Sequence, residues 1–507
     1  MNDFLLGFQV LAVPVALTVA VLVLLVVDLL RPRGRAVDIL AFALLAGVLG
    51  VSLASAAGVA KGGVYVRDAM TMLLERVFLA AGMLAVLGAS AHVQRSFAKR
   101  EAEFYALLCC SLTGMTLLAG TRDLLLLAVA FELMGIPLYV LATYAKNATP
   151  RSVEAGLKFY LVGAVSSALT LYGMSLLFGL AGTTQIADLA RLTPTPLLRV
   201  AISLVVAGFG FKLGLAPFQF WIPDTYEGAP TPVASFFSVA PKAAGMMALA
   251  QLLLLGLPGQ TEAWLPGLIV VAVGTMATGH LLALPQTHLK RMLGNSGVAQ
   301  MGTMLLGLFA AATLGARGHG LDALLFYVVA YLAANTGLFL VVEAIGQHAP
   351  ADSRDTLASL AGLHRRSPAL AAAALLCLLS LAGIPFAVGF WAKLYVFLAA
   401  WQAGHTWLVL IGAGFSVLGL FYYLRVARSM YLGEPTDVSP VRVGLALRLA
   451  VAVCALATAG LGLYPRPVVE AAAVAAQAWQ GQSMPRLASI PASPGTLADS
   501  PRLTQVK

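Results

Sequence analysis

The chain has 507 residues, 60% of them hydrophobic and 11% charged, with a formal net charge of +10 and a mean hydropathy of +0.88. A composition this apolar excludes a soluble globular protein, whose surface would need far more polar residues, and points to an integral membrane protein. The basic residues are scattered among loops, not gathered on one face or tract, so the charge excludes a nucleic-acid surface and instead carries orientation.

A bilayer crossing takes roughly 20 apolar residues, and that rule marks about fourteen spans. The first, near 4–30, has an acidic and no basic residue ahead of an apolar run longer than a signal-peptide core, so it reads as an uncleaved span. Spans near 37–59, 70–92, 104–121, 123–145, 156–181, 197–220 and 232–256 follow. The remainder lie near 264–284, 292–314, 322–346, 369–399, 406–432 and 443–464. The expected fold is an all-α polytopic membrane protein. Its polar tail from about 481 is rich in Ser and Pro and reads as disordered.

Arg31, Arg33, Arg35, Arg95, Lys99, Lys146, Arg151, Lys158, Lys290, Arg291, Arg354 and Arg425 fall on one side of this threading, against Lys61, Arg67, Arg122, Arg191, Arg199 and Arg317 on the other. The positive-inside rule makes the first side cytoplasmic and puts both termini outside. The loop 221–231 runs against it, carrying Asp224 and Glu227 with no lysine or arginine.

Cys109, Cys110, Cys377 and Cys454 lie within spans, with no CxxC, and read as small core residues, so no metal or cluster site follows from them. "GFGFKLG" (208–214) lacks the strand and glycine spacing of a dinucleotide loop. Asn147-Ala148-Thr149 fits a glycosylation acceptor but falls on the cytoplasmic side. Glu75 with Arg76 reads as an ion pair or a site, and the seven histidines lie mostly near span ends, where capping or surface roles are expected.

Four charges at membrane depth stand apart: Glu132, Lys212, Lys242 and Lys393. Each costs about 2.5–3.5 kcal/mol even on a mild insertion scale, so they mark a path for charge. Burial lowers a lysine pKa and raises that of a glutamate, while pairing restores both charges, so a Glu/Lys pair beside unpaired lysines can be switched by one proton. Pro217, Pro241 and Pro385 lie in the same spans, where each frees carbonyls that must find other partners and so implies a hydrated pocket. "KLGLAPF" (212–218) and "LSLAGIPF" (379–386) recur five spans apart, an odd offset that fits an inverted five-helix repeat.

"FELMGIPLYVLATY" (131–144), the segment 152–184, "FKLGLAPFQFWIPDTYEGAPTPVASFFSVAPKAA" (211–244) and "LKRMLGNSGVAQMG" (289–302) resemble the subunit N family of NADH-quinone oxidoreductase, respiratory complex I. The resemblance implies two inverted five-helix repeats, with helices 7 and 12 broken. On this reading residues 1–103 form an N-terminal three-helix segment, 104–256 and 257–432 the two repeats, 433–480 the last transmembrane helix and 481–507 the tail. It implies that Glu132 and Lys212 are the paired charges of helices five and seven, Lys242 the central lysine of helix eight and Lys393 the lysine of helix twelve. The implied function is proton translocation coupled to quinone reduction in other subunits. NADH, FMN, iron–sulfur clusters and quinone would belong to partners, with none on this chain. The implied partners are the antiporter-like subunit M, the small subunits K, J and A, and lipid of the cell inner membrane. A cation/proton antiporter subunit and a non-transporting scaffold are the alternatives. The family commonly has histidine at the positions of Gln219 and Gln300 and tyrosine near Asn295; glutamine cannot titrate, so protons passing these points would move by way of water.

Overall fold

The computed structural model describes residues 9–30, 35–97, 100–145, 150–315, 318–349, 354–435 and 439–488. Arg31, Arg33, Lys99, Lys146, Arg317, the 147–149 triplet and the tail beyond 488 lie outside the described residues.

The helices are α1 Ala12–Leu29, α2 Arg35–Ala54, α3 Ala69–Ser96, α4 Glu101–Gly120, α5 Leu124–Ala142, α6 Pro150–Ala181, α7 Pro196–Leu213, α8 Trp221–Gly228 and α9 Thr231–Gln251. They continue with α10 Thr261–Ala283, α11 Leu289–Leu314, α12 Gly320–Gly346, α13 Pro368–Ala382, α14 Val388–Gln402, α15 Thr406–Leu432, α16 Leu445–Leu463 and α17 Arg466–Ala488. Thirteen helices among the described residues are long and apolar enough to cross a membrane. The two strands, β1 Gly58–Val59 and β2 Val66–Arg67, form one short antiparallel ribbon.

Local chemistry sets the helix starts. Asp68 accepts from the Thr71 amide at 2.8 Å, Asp123 from those of Leu125 and Leu126, and Thr195 from that of Leu198. Each cap satisfies donors that hydrocarbon cannot, an N-cap being worth about 1 kcal/mol. The outer helices turn Leu22, Leu161, Val270, Phe421 and Leu456 outward, as lipid contact requires. α9, α11 and α12 are enclosed almost all round and carry the interior polar groups. α12 is central and packs on α9, α11, α13, α14 and α16.

Several details refine the sequence reading or differ from it. The segment 197–220 is helical only to Leu213, where Gly214 takes a left-handed conformation (φ 71°) and ends the helix. The segment 369–399 is two helices, α13 and α14, parted at Gly383 (φ 87°). Both breaks use a glycine because a side chain resists that region. Pro241 lies within an unbroken α9, since one lost backbone bond is tolerated inside a tightly packed helix. α17 is regular through Ala488, past the point where the tail was expected to start; its alanine-rich sequence favours helix, and Ala472, Ala475 and Trp479 are buried.

Glu75 pairs with Arg67 of β2 at 2.9 Å, not with Arg76, and both side chains are fully enclosed. Arg67 also donates to the carbonyls of Ser52, Ser55 and Ala56, which ties α2, the ribbon and α3 together. The acidic loop 221–231 is α8, and its positive partners come from other helices. Asp224 accepts from Lys158 and Arg291 at 2.7 Å each, and Glu227 from Arg291 at 2.7 Å.

Candidate functional site

Lys212 stands in the last turn of α7, where its charge complements the negative end of the helix dipole. Its Nζ donates to the Tyr139 hydroxyl at 3.3 Å and lies 4.7 Å from the Phe131 ring centroid. It packs on Gly135 so closely that a Cβ there would be 2.1 Å from Nζ. Glu132 is one helical turn from Gly135 along α5, is half-buried, and accepts a hydrogen bond from Ser167 of α6. The expected Glu132–Lys212 ion pair is therefore not made: both groups reach the same helix, but each has taken a hydroxyl partner.

The break after α7 is stitched without the lysine. Trp221 Nε1 donates at 3.0 Å to the Phe211 carbonyl, which also accepts from the Gly214 amide, and the Ala216 amide donates to Thr275 Oγ1 at 2.9 Å. Gln219 lies in this break with its Oε1 enclosed and unpartnered.

Lys242 is at the centre of α9, 2% exposed, with no hydrogen-bond partner on Nζ. The Tyr226 ring of α8 lies 5.5 Å away. Lys242 Nζ and the Tyr331 hydroxyl both sit over Gly297 of α11, 3.4 and 2.8 Å from where a Cβ would stand. The hydroxyls of Tyr226, Tyr331 and Ser235 and the Asn335 Oδ1 are likewise buried and unpartnered. Leaving so many polar atoms dry would cost about 1–3 kcal/mol each, so this cluster is built to bind water.

Lys393 is held differently. Its Nζ donates to the carbonyls of Leu381 and Ala382 at 3.0 Å each, the acceptors freed where α13 stops at Gly383. Here the lysine itself caps the broken helix. Gln300 of α11 shares the Leu381 carbonyl at 3.1 Å, donates to Tyr423 at 3.2 Å, and accepts from Tyr327 at 2.5 Å. Tyr423 in turn meets Ser296. A cavity of about 10 Å³, close to the size of one water, is lined by Lys393, Gln300, Tyr327, Ser380 and Tyr331, the last a neighbour of Lys242.

The three lysines are thus buried and Glu132 half-buried, all four strung through the fold. Sequence reasoning missed the tyrosines 226, 327, 331 and 423, together with Asn335 and Ser238, which hydrogen-bond at 2.6 Å. It also placed His280 among capping residues, whereas His280 is 3% exposed, bonded to the Tyr422 hydroxyl at 3.1 Å and stacked on Phe415. One signal was available: Tyr327, Tyr331 and Asn335 recur every four residues, the spacing of one helix face. Among the described residues no three His, Cys, Asp or Glu side chains are grouped to hold a metal.

Helices broken at left-handed glycines, with enclosed lysines beside them, define an antiporter-type membrane subunit. The family model for the transmembrane domain of NADH:quinone oxidoreductase and Mrp antiporters matches residues 121–419. NADH-quinone oxidoreductase subunit N of Heliobacterium modesticaldum is 43% identical over 415 residues, 82% of this chain and 86% of the relative. A chain of respiratory complex I from Thermus thermophilus superposes with a TM-score of 0.78 at 31% identity, covering 91% of this chain and 99% of that one. A chain of the Mrp complex of Dietzia sp. gives a TM-score of 0.84 over 94% and 98%, but at 24% identity it speaks for the fold alone. The chain belongs to the NADH-quinone oxidoreductase subunit N family, within the antiporter-like membrane subunits.

Proposed function

We propose that Glu132, Lys212, Lys242 and Lys393 carry protons across the membrane, with Lys242 the central acceptor and Lys393 the release group. As a member of the subunit N family, the chain is a membrane-arm subunit of a proton-pumping NADH-quinone oxidoreductase and does no redox chemistry itself. NADH, FMN, iron–sulfur clusters and quinone are assigned to partner subunits. The partners proposed are the antiporter-like subunit M and the small subunits K, J and A, in the cell inner membrane with both termini outside.

The observation that carries the reading is the enclosed, unpartnered Lys242 amine, set among water-binding hydroxyls, of which Tyr331 also lines the small cavity beside Lys393. An ammonium at Lys212 disfavours a second positive charge at Lys242. Pairing Lys212 with Glu132 neutralises that field and raises the proton affinity of Lys242; opening the pair drives the proton onward. The open arrangement is the one in which Glu132 faces Ser167 and Lys212 faces Tyr139. Onward transfer follows Gln300 and Tyr327, which relay by water and hydroxyl because glutamine does not titrate. Beyond Lys393, a pocket of about 220 Å³ lined by Tyr395, Gln402, His319 and Asp322 gives the outer exit.

The test is Lys242→Met in the assembled enzyme in inverted vesicles. NADH-driven acidification should be lost while the complex still assembles, and full pumping would sink the assignment.

A further inference from the structure

A cavity of about 300 Å³ lies at the opposite end of α12 from the outer pocket and opens on the face of Arg95, Arg151 and Arg354. It is lined by His92, Glu227, His288, Lys290, Glu343 and Asp355 among others. Most of these have evident structural partners: Lys290 lies 3.3 Å from Asp355 and donates to the Ala229 carbonyl, and Glu227 is held by Arg291. Glu343 is different. It is 4% exposed, meets His92 Nδ1 at 3.2 Å and accepts from Gln347 at 2.9 Å, yet it caps nothing and pairs with no permanent cation. A buried carboxylate that shares a hydrogen bond with a titratable histidine, with Lys290 the other charge acting on it from the cavity wall, can exchange a proton at little cost in structure.

Glu343 also begins a line. Tyr327, Tyr331, Asn335, Phe339 and Glu343 recur every four residues along α12, a stripe about 24 Å long that winds roughly 160° around the helix from end to end. Four of the five rungs are polar. Tyr327 meets Gln300, Tyr331 lies beside Lys242, and Asn335 meets Ser238 of α9. The single apolar rung, Phe339, is fully buried between the cavity end and the Lys242 cluster. It packs edge-on against Tyr226 at 6.1 Å, the same ring that lies over Lys242. α8 therefore reaches both regions: Glu227 lines the cavity, and the adjacent Tyr226 packs on Phe339 and lies over Lys242.

We propose that this cavity is the proton-uptake vestibule, that Glu343 with His92 is its loading group, and that the Phe339–Tyr226 contact is the valve between it and Lys242. The inference rests on the reading of Lys242 as the central acceptor. A proton from the solvent protonates the Glu343 carboxylate. When Phe339 and Tyr226 part, water bridges the gap, Glu343 returns to carboxylate and the Lys242 amine becomes an ammonium. Closure of the rings then prevents return, because a dry aromatic contact offers no acceptor.

The test uses the assembled enzyme in inverted vesicles, with NADH oxidation and acidification followed together. Glu343→Gln keeps the shape and the hydrogen bonds but cannot load, so protons moved per NADH should fall as far as in Lys242→Met. Glu343→Asp, which keeps the acid, should restore most of the loss. In vesicles without NADH, Phe339→Asn should let an imposed pH gradient collapse severalfold faster than wild type. Adding Lys242→Met should slow it again, and Phe339→Leu should stay tight. Undiminished pumping by assembled Glu343→Gln, or a wild-type decay rate in Phe339→Asn, overturns the proposal. If Lys242→Met stops pumping and Glu343→Gln does not, only the vestibule is misplaced; if both pump fully, the reading of Lys242 fails with it.

Discussion

Lys212 rests its ammonium on Gly135, in space that any larger residue on α5 would fill. The neighbour that must give way to a methyl group is the tip of a flexible side chain, and a helix-interior alanine is about 0.5–1 kcal/mol better than glycine. Gly135→Ala should therefore leave stability equal or slightly raised while driving Lys212 away from Tyr139. Thermal unfolding of the purified complex should show no loss, and proton pumping should fall severalfold. Normal pumping would show that the Lys212 position does not matter.

The same exchange at Gly383 has the opposite sign. With φ at 87°, an alanine there is strained by about 1–2 kcal/mol, and its Cβ would stand 2.9 Å from Lys393 Cδ. Gly383→Ala should lower both the melting temperature and pumping. A variant of wild-type stability would mean that the break is not held by this backbone conformation.

Arg67 and Glu75 form a fully enclosed ion pair, and removing one partner of such a pair is destabilising by about 3–5 kcal/mol. Glu75→Gln should sit near the lower bound, because Arg67 keeps three carbonyl acceptors. Adding Arg67→Met should recover much of the loss by removing the stranded charge. Melting of the two variants side by side decides it: no difference between them would contradict the pair's role.

The α8 carboxylates give a pH dependence. Burial pushes Asp224 and Glu227 up, but hydrogen bonds and charge, from Lys158 and Arg291 to Asp224 and chiefly from Arg291 to Glu227, more than offset it and hold both below the ordinary carboxylate range. Groups with depressed folded pKa values stabilise above their unfolded values, about pH 4, and lose that contribution as pH falls through the folded ones. Arg291→Gln should lower stability by about 1 kcal/mol after solvent screening. Measured by thermal unfolding, the gap from wild type should be constant from pH 8 to 5 and close in stronger acid. A gap that stays open would rule out this linkage.

Much of the architecture was legible because membrane insertion writes itself in one dimension. Each span must be apolar over its length, and each departure, such as Lys242 in "SVAPKAAG" or Lys393 in "GFWAKLYVF", is conspicuous against it. Proline was a weaker guide. Pro217 and Pro385 lie in true breaks, but Pro241 does not, and in both breaks a left-handed glycine makes the turn.

By itself, then, the sequence determined the class of protein, the number of crossings to within the split helix, and the four charges that lie within the spans. The tertiary structure decided what each charge touches: Lys393 on the freed carbonyls of α13, Lys212 on Tyr139 instead of Glu132, and Lys242 on no hydrogen-bond partner. It also decided that Glu343, Phe339 and Tyr331 share one stripe with contacts from α3, α8 and α9. The reason is physical. Hydrophobicity is a property of each segment and survives being read alone. Hydrogen-bond partnership and hydration depend on which helices meet, and residues as far apart as His92 and Glu343 meet only once the bundle has packed.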